Sequence, residues 1–392
     1  MDRSDIVRAF LTAGHQLGAD ALRFFEANPE KVKEFLNLSA GRQEKSTVTM
    51  ETVNNTLSGI SPRVRVLKSF SAKQRQTSVD EVSNQLARRY QRTMEILEKK
   101  PELVNLISIN RVSQQTKRFS MIAMVKEISR GDRSLVVEDP TGTTSVYIGD
   151  EAVGDFSYLL EDEVIGVVCD NEESSENRAV KIVFPDIPLS TKIAVSGEDV
   201  LCMFVSDIHM DDPGFMQHSL EKLSDYAKKI KQEAIVFVLG DVSKDDDKVK
   251  KFAEIFPENF SIMFLRGELE TGRDNFLPDP VVVEVCGVRM FLSHGGMFAK
   301  YFEKFKTSPE MMMLQMIKKR HISPTFRNNA GLDDEKLFIE QPADIFAIGH
   351  FHEPRTINYK GVTIFSLGSF VTQPIFWAVN LKTRESIKID LT

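Results

Sequence analysis

Apolar positions recur first with a helical period. Ile6, Ala9, Phe10 and Ala13 fall at i, i+3, i+4 and i+7, and Ala21, Leu22, Phe24 and Phe25 form a second apolar group. Asn28-Pro29 breaks the pattern, and Val32 to Leu38 permits one more short helix. Residues 1–40 are expected to form a small helical domain. Ser, Thr, Asn and Gly dominate from residue 39 to 62 with little periodicity, and residues 41–75 read as a flexible linker. Residues 76–104 hold a polar helix from about Ser78 to Lys100, with Val82, Leu86, Tyr90, Met94 and Leu97 on one stripe and Pro101 ending it.

The period then shortens. Met121–Ile128, Leu135–Val137, Thr144–Ile148, Val164–Cys169 and Ala179–Phe184 read as strands, separated by turn signals such as Arg130-Gly131-Asp132 and Asp139-Pro140-Thr141-Gly142. Five strands in this space predict an OB-type β-barrel over residues 105–190. An immunoglobulin-like sandwich, which usually needs ~100 residues, is the alternative. The segment is acidic, which favours a structural or docking role over nucleic-acid binding.

Beyond residue 190 strongly apolar strands alternate with helices. Leu201–Ser206, Ala234–Leu239, Ser261–Leu265, Val288–Leu292, Ile345–Ile348, Val362–Phe365 and Phe376–Leu381 are of strand length, and His218–Lys231 is an amphipathic helix. Strands with no polar face predict sheets covered on both sides. The chain is thus expected to be a multi-domain α/β protein, with residues 191–392 as its largest unit.

The loops at the ends of these strands carry the chemistry. The strands run into Asp207-Ile208-His209, Gly240-Asp241, Gly267-Glu268-Leu269-Glu270, His294-Gly295-Gly296 and Gly349-His350-Phe351-His352. Ligands of α/β sheets gather at the carboxyl ends of strands, so the five loops are expected to converge. Imidazoles with carboxylates suit a pair of divalent transition metals, and adjacent glycines allow close approach. Of the seven histidines, four lie in these motifs; His15, His218 and His321 are read as structural. Phe298, Tyr301, Phe302, Phe305, Met311 to Met313 and Met316 crowd the stretch after His294. They read either as a partner-docking surface or as a stripe packed on the chain's own sheet.

Composition narrows the classes further. With 392 residues, 42 % hydrophobic and 27 % charged, wholesale disorder is excluded. A net charge of −7 argues against a nucleic-acid binder held by bulk charge, but not against a nuclease whose metals supply local positive charge. No apolar run approaches the ~20 residues of a spanning helix and the N-terminus has no signal-like core, so no membrane partner and a cytoplasmic location are expected. Cys169, Cys202 and Cys286 are scattered in apolar stretches and read as buried free thiols.

The order of the strand-end motifs resembles calcineurin-type phosphoesterases. Lys318-Lys319-Arg320-His321-Ile322-Ser323-Pro324, the run from Gly361 to Phe370, and an OB domain preceding the phosphoesterase domain further resemble the small subunit of archaeal family D DNA polymerases. That family is related to the B subunits of eukaryotic replicative polymerases. The resemblance is specific from about Asn105 to Thr392 and only architectural before that. It implies a calcineurin-like β-sandwich flanked by helices and a 3′–5′ exonuclease that serves a large catalytic polymerase subunit, as a heterodimer or higher assembly, acting on DNA 3′ ends near the nucleoid. It implies that Asp207, His209, Asp241 and His352 hold one metal and that Asp241, Glu268, His294 and His350 hold the other. Mn is favoured over Fe or Zn, and Asp207, His209, Asp241 and His294 would carry the catalysis.

One motif departs from the family. Where the family has Gly-Asn-His followed by an acid, this chain has Gly267-Glu268-Leu269-Glu270. Glu268 keeps an oxygen ligand, but Leu269 replaces an imidazole, and the loss of such an acid–base group costs about 10²–10⁴-fold. Three readings are open: a subunit with weakened exonuclease activity, a structural subunit without catalysis, and an independent metallophosphoesterase. The barrel and the N-terminal extension speak against the third.

Overall fold

In the computed structural model the described residues are 1–39, 47–50, 52–53, 61, 63–70, 78–113, 116–171, 176–189, 192–273, 275–326 and 333–392. Helices Arg3–Thr12, Ala19–Ala27 and Glu30–Ser39 form the N-terminal unit. Asp2 caps the first, and Asp5 returns the bond in a capping box. Phe10, Phe25 and Phe35 pack their rings 4.9 to 5.4 Å apart at its centre. Strands β1 (Gln16–Leu17) and β2 (Thr47–Val48) pair in parallel. Val48 and Val53 are buried in the same core, so this part of the expected 41–75 linker belongs to the helical unit. Most of the remaining linker lies outside the described residues.

A second part of that segment is also structured. Strand β3 (Val64–Ser69) alternates Val64 and Val66 with Arg65, and it lies at the edge of a sheet formed by the C-terminal unit. The pattern is short and enclosed by polar sequence, which hides a strand whose partner lies far along the chain. Helix Val79–Leu97 comes next, closed by a Ser78–Glu81 capping box. Leu86, Tyr90, Met94 and Leu97 of its expected stripe pack against Ile122, Met124, Val164 and Val183 of the next unit.

That unit is a closed five-stranded barrel of β4 (Arg118–Ser129), β5 (Ser134–Asp139), β6 (Gly142–Ile148), β7 (Val164–Asp170) and β8 (Arg178–Val183), in the order β4-β5-β6-β8-β7. All pairs are antiparallel except β6 with β8, and β4 closes the barrel on β7. Phe119, Val125, Val137, Val146, Ile165 and Ile182 are among the residues filling it.

The C-terminal unit stacks two sheets. The strands β9 (Leu201–Val205), β10 (Ala234–Leu239) and β11 (Phe260–Leu265) run parallel. The second sheet contains β12 (Val281–Val285), β13 (Val288–Ser293), β14 (Ile345–Ile348), β15 (Arg355–Tyr359) and β16 (Val362–Ser366). β17 (Ile375–Asn380) and β18 (Ser386–Asp390) complete the first sheet. The orders are β11-β10-β9-β17-β18 and β15-β16-β14-β13-β12-β3. Phe204, Phe237, Leu239, Met290, Leu292, Phe365 and Trp377 pack between the sheets.

On β10, Ile235, Phe237 and Leu239 face this inner core, while Val236 and Val238 face outward against Leu220, Leu223 and Phe252. Those three sit on helices Gln217–Ala227 and Asp246–Glu254. A strand covered on both faces explains the unbroken apolar run. The second sheet is covered by helices Ala299–Phe305 and Pro309–Lys318. There Phe298, Tyr301, Phe305, Met312, Met313 and Met316 are buried with Phe291 and Phe346. Of the two readings of this stripe, the structure supports packing on the chain's own sheet rather than a docking face.

Buried polar groups join the units. Arg89 of the helix Val79–Leu97 pairs with Asp334 and donates to the Asp162 and Pro324 carbonyls. Lys319 meets Glu163 at 2.6 Å, with both side chains 5 % exposed or less. No helix among the described residues is long and apolar enough to cross a membrane.

Candidate metal centre

Every candidate ligand lies just past the carboxyl end of a parallel strand. Asp207 and His209 come after β9, Asp241 after β10, Glu268 after β11, His294 after β13, and His350 and His352 after β14. Because β9–β11 and β13–β14 end at one rim of the sandwich, the five loops meet there. The backbone laces them together: Asp207 N–H donates to the Gly240 carbonyl, His209 N–H to the Asp241 carbonyl, and His350 N–H to Asp207 Oδ2.

The loops turn abruptly. Asp207, His209, Asp241, His350 and His352 have φ of 56°, 47°, 56°, 69° and 56°. This left-handed region costs a non-glycine residue roughly 1–3 kcal/mol, and strain of that kind clusters at functional sites. Close approach has its own requirement at Gly240, where an added Cβ would lie 2.6 Å from Gly267 Cα and 2.8 Å from His294 Nδ1.

The side chains gather into three overlapping groups whose candidate ligand atoms lie within 4.8 Å of one another: Asp207, His209 and His352; Glu268, His294 and His350; and Asp207, Asp241 and His294. Asp207 Oδ1 is 3.5 Å from Nε2 of both His209 and His352. Asp241 Oδ2 is 3.8 Å from His209 Nε2 and 3.6 Å from His294 Nε2, so one carboxylate faces both sides of the site. Glu268 Oε1 lies 3.9 Å from His350 Nδ1 and is the most exposed of the carboxylates. All seven sequence-derived candidates therefore meet at one place, whereas His15, His218 and His321 lie elsewhere.

His294 tests whether the set fits a cation. Its Nδ1 sits 2.9 Å from the Leu239 carbonyl, an acceptor, so Nδ1 carries the proton. Its Nε2 is buried, has no hydrogen-bond partner among the described residues and faces the carboxylates. An imidazole nitrogen aimed at two aspartates and left without a protein partner can take a metal in place of a proton, and the residues fit. Electrostatics agree. Burial opposes ionisation of Asp207, but hydrogen bonds from His209 and His352 and the nearby His294 outweigh it and hold its pKa well below the usual carboxylate range. Burial likewise opposes a charge on His294, yet Asp207 and Asp241 raise its pKa above the ordinary imidazole range. The pocket stabilises positive charge.

Two supporting carboxylates escaped the sequence reading. Glu270 is buried and accepts from the backbone N–H groups of Asp241, Val242, Ser243 and Gly267. Asp279 accepts from the Ser293 hydroxyl and the His294 backbone N–H, and burial raises its pKa. Apart from the Ser293 hydroxyl, their donors are backbone N–H groups, which leave no signature in side-chain spacing. Leu269, in the position of the missing imidazole, contributes its backbone N–H to Asp241 Oδ1 at 3.0 Å.

Residues 200–376 match the calcineurin-like phosphoesterase superfamily domain. That superfamily uses divalent metals. Beyond the domain, the chain is similar to archaeal proteins named DNA polymerase II small subunit. The one from Archaeoglobus fulgidus is 25 % identical, over 70 % of this chain and 67 % of that protein. The one from Thermoplasma acidophilum is 21 % identical, over 95 % of this chain and 87 % of that protein. Among solved structures, an archaeal phosphodiesterase is 17 % identical with a TM-score of 0.34, covering 48 % of this chain and 99 % of its own.

Proposed function

We propose that this chain is the small subunit of an archaeal replicative DNA polymerase and that its C-terminal unit is a two-metal phosphodiesterase acting on DNA 3′ ends. One observation carries the reading: the seven candidate ligands converge around a buried His294 Nε2 that has no partner among the described residues. In this reading Asp207, His209, Asp241 and His352 hold one divalent ion and Asp241, Glu268, His294 and His350 the other, with Mn favoured over Fe or Zn.

Bound ions of this kind polarise a phosphoryl oxygen and acidify water. The chain's own residues do the rest. Asp241, which would serve both ions, is fixed by Glu270 behind it and Leu269 N–H beside it. His294 is held in one tautomer by the Leu239 carbonyl. Residue 269 has no side-chain proton to give a leaving group, so exonuclease turnover is weak.

The remaining units support an assembly role. The five-stranded barrel is of the OB type, and with the N-terminal helical unit it docks a large catalytic subunit in the cytoplasm. The similarity to polymerase small subunits supports that partner. Leu269 favours one second reading, a metal-bearing subunit whose role is structural.

A nuclease assay on single-stranded and mismatched 3′ ends with Mn²⁺, with and without the large subunit, tests the reading. Slow 3′–5′ release of mononucleotides is expected. Metal-loaded protein that cleaves neither substrate, even in the assembly, would establish the structural role instead.

A further inference from the structure

Phe351 stands between two candidate ligands, His350 and His352. Its ring is 5.5 Å from that of His350 at 84°, and 4.8 Å from that of Phe302 at 43°. A Cβ at Gly295 would approach its Cε2 to 3.3 Å, so the ring covers the loop after His294. Phe302 packs with it, Met297 lies against the same core, and all three keep part of their surface in water. Their neighbours Phe298 and Tyr301, by contrast, are fully buried. An aromatic shelf with no structural need for exposure thus borders the Glu268–His294–His350 group.

We propose that Phe351, backed by Phe302, is a stacking platform for the nucleobase of the nucleotide whose phosphate lies at this group. The proposal rests on the phosphodiesterase reading and names the part of the substrate recognised beyond the phosphate. An aromatic face accepts any base, since every base has a π-face, so the shelf selects a nucleotide end over other phosphodiesters without selecting sequence. The perpendicular His350 ring and the tilted Phe302 ring hold Phe351 in place, which lowers the ordering cost of stacking a base on its water-facing surface.

The test measures binding of the full-length Mn²⁺-loaded protein to two 3′-phosphorothioate oligonucleotides by fluorescence anisotropy. One ends in thymidine and the other in an abasic tetrahydrofuran residue. The wild type is expected to prefer the thymidine end. Phe351→Ala should weaken that end by roughly 5- to 100-fold, from the usual strength of base–aromatic stacking. It should leave the abasic end unchanged. Phe351→Leu, which keeps apolar contact with Phe302 but lacks a ring, should behave like Phe351→Ala, and Phe351→Trp should keep the preference. Equal binding of both ends by the wild type, or equal weakening of both by the variants, would overturn the platform while leaving the phosphodiesterase reading intact. No binding of either end by metal-loaded wild type would overturn both.

Discussion

Glu270 holds Asp241 from behind: its Oε2 accepts the Asp241 backbone N–H at 2.9 Å, and its Oε1 accepts that of Val242 at 2.7 Å. With Ser243 and Gly267 also bound, one buried carboxylate fixes the turn that aims the shared ligand. Glu270→Gln turns an amide N–H₂ toward backbone donors and loosens the turn without removing a ligand. Metal affinity should fall about 10–100-fold, as is usual for residues that orient ligands. Isothermal titration with Mn²⁺ measures this, and an unchanged affinity would refute it.

Asp241 faces both halves of the site, whereas His209 belongs mainly to the half around Asp207. Asp241→Ala should therefore abolish binding of both ions, and His209→Ala should weaken one. Elemental analysis after Mn²⁺ loading distinguishes the stoichiometries. Two ions retained by Asp241→Ala would show that its carboxylate does not bridge.

Leu269 can neither donate a proton nor hydrogen-bond a phosphate oxygen through its side chain. Leu269→His, alone or with Glu268→Asn, should raise 3′–5′ exonuclease turnover by about one to three decades at unchanged metal content. A double variant that holds both metals and stays inert would point to the structural role. A native protein already as fast as the variant would show that another group supplies the proton.

His321 should make the protein acid-sensitive. Ser323 N–H donates to its Nδ1 and its Nε2 faces Asp334, so it is buried in the neutral form. Burial and the Arg89 charge push its pKa down to about 4. Between that value and the unfolded value of about 6.5, the unfolded chain binds a proton that the folded chain refuses, so stability falls as pH falls. The loss should be about 2 kcal/mol between pH 7 and pH 5. Urea midpoints at the two pH values measure it, and His321→Asn should flatten the difference.

The ligand loops were legible because each apolar strand runs straight into an Asp, Glu or His, in four of the five beside glycine, as in Gly240-Asp241 and Gly349-His350. The sandwich core was legible for a related reason, since β10 has no polar face to disguise. The role of Glu270, though the residue stands in a recognised motif, and that of Asp279 were hidden because most of their partners are backbone groups 15 to 29 residues away. The left-handed turns at Asp207 and His352 were equally hidden, because neither is a glycine. Strand β3 was missed because its six residues alternate weakly and their partner, β12, lies far downstream.

That pairing makes the C-terminal sandwich discontinuous in sequence. Val64 is opposite Val285, so the outermost strand of the second sheet leaves the ribosome roughly 200 residues before the strand it joins. The barrel is synthesised in between, and it can close locally while β3 waits. A fragment beginning at residue 191 would expose the β12 edge, and it should melt below the intact chain or self-associate through that edge. Completing the sandwich is thus a late, long-range event, and the N-terminal region is tied to the C-terminal unit by a shared strand as well as by the covalent chain.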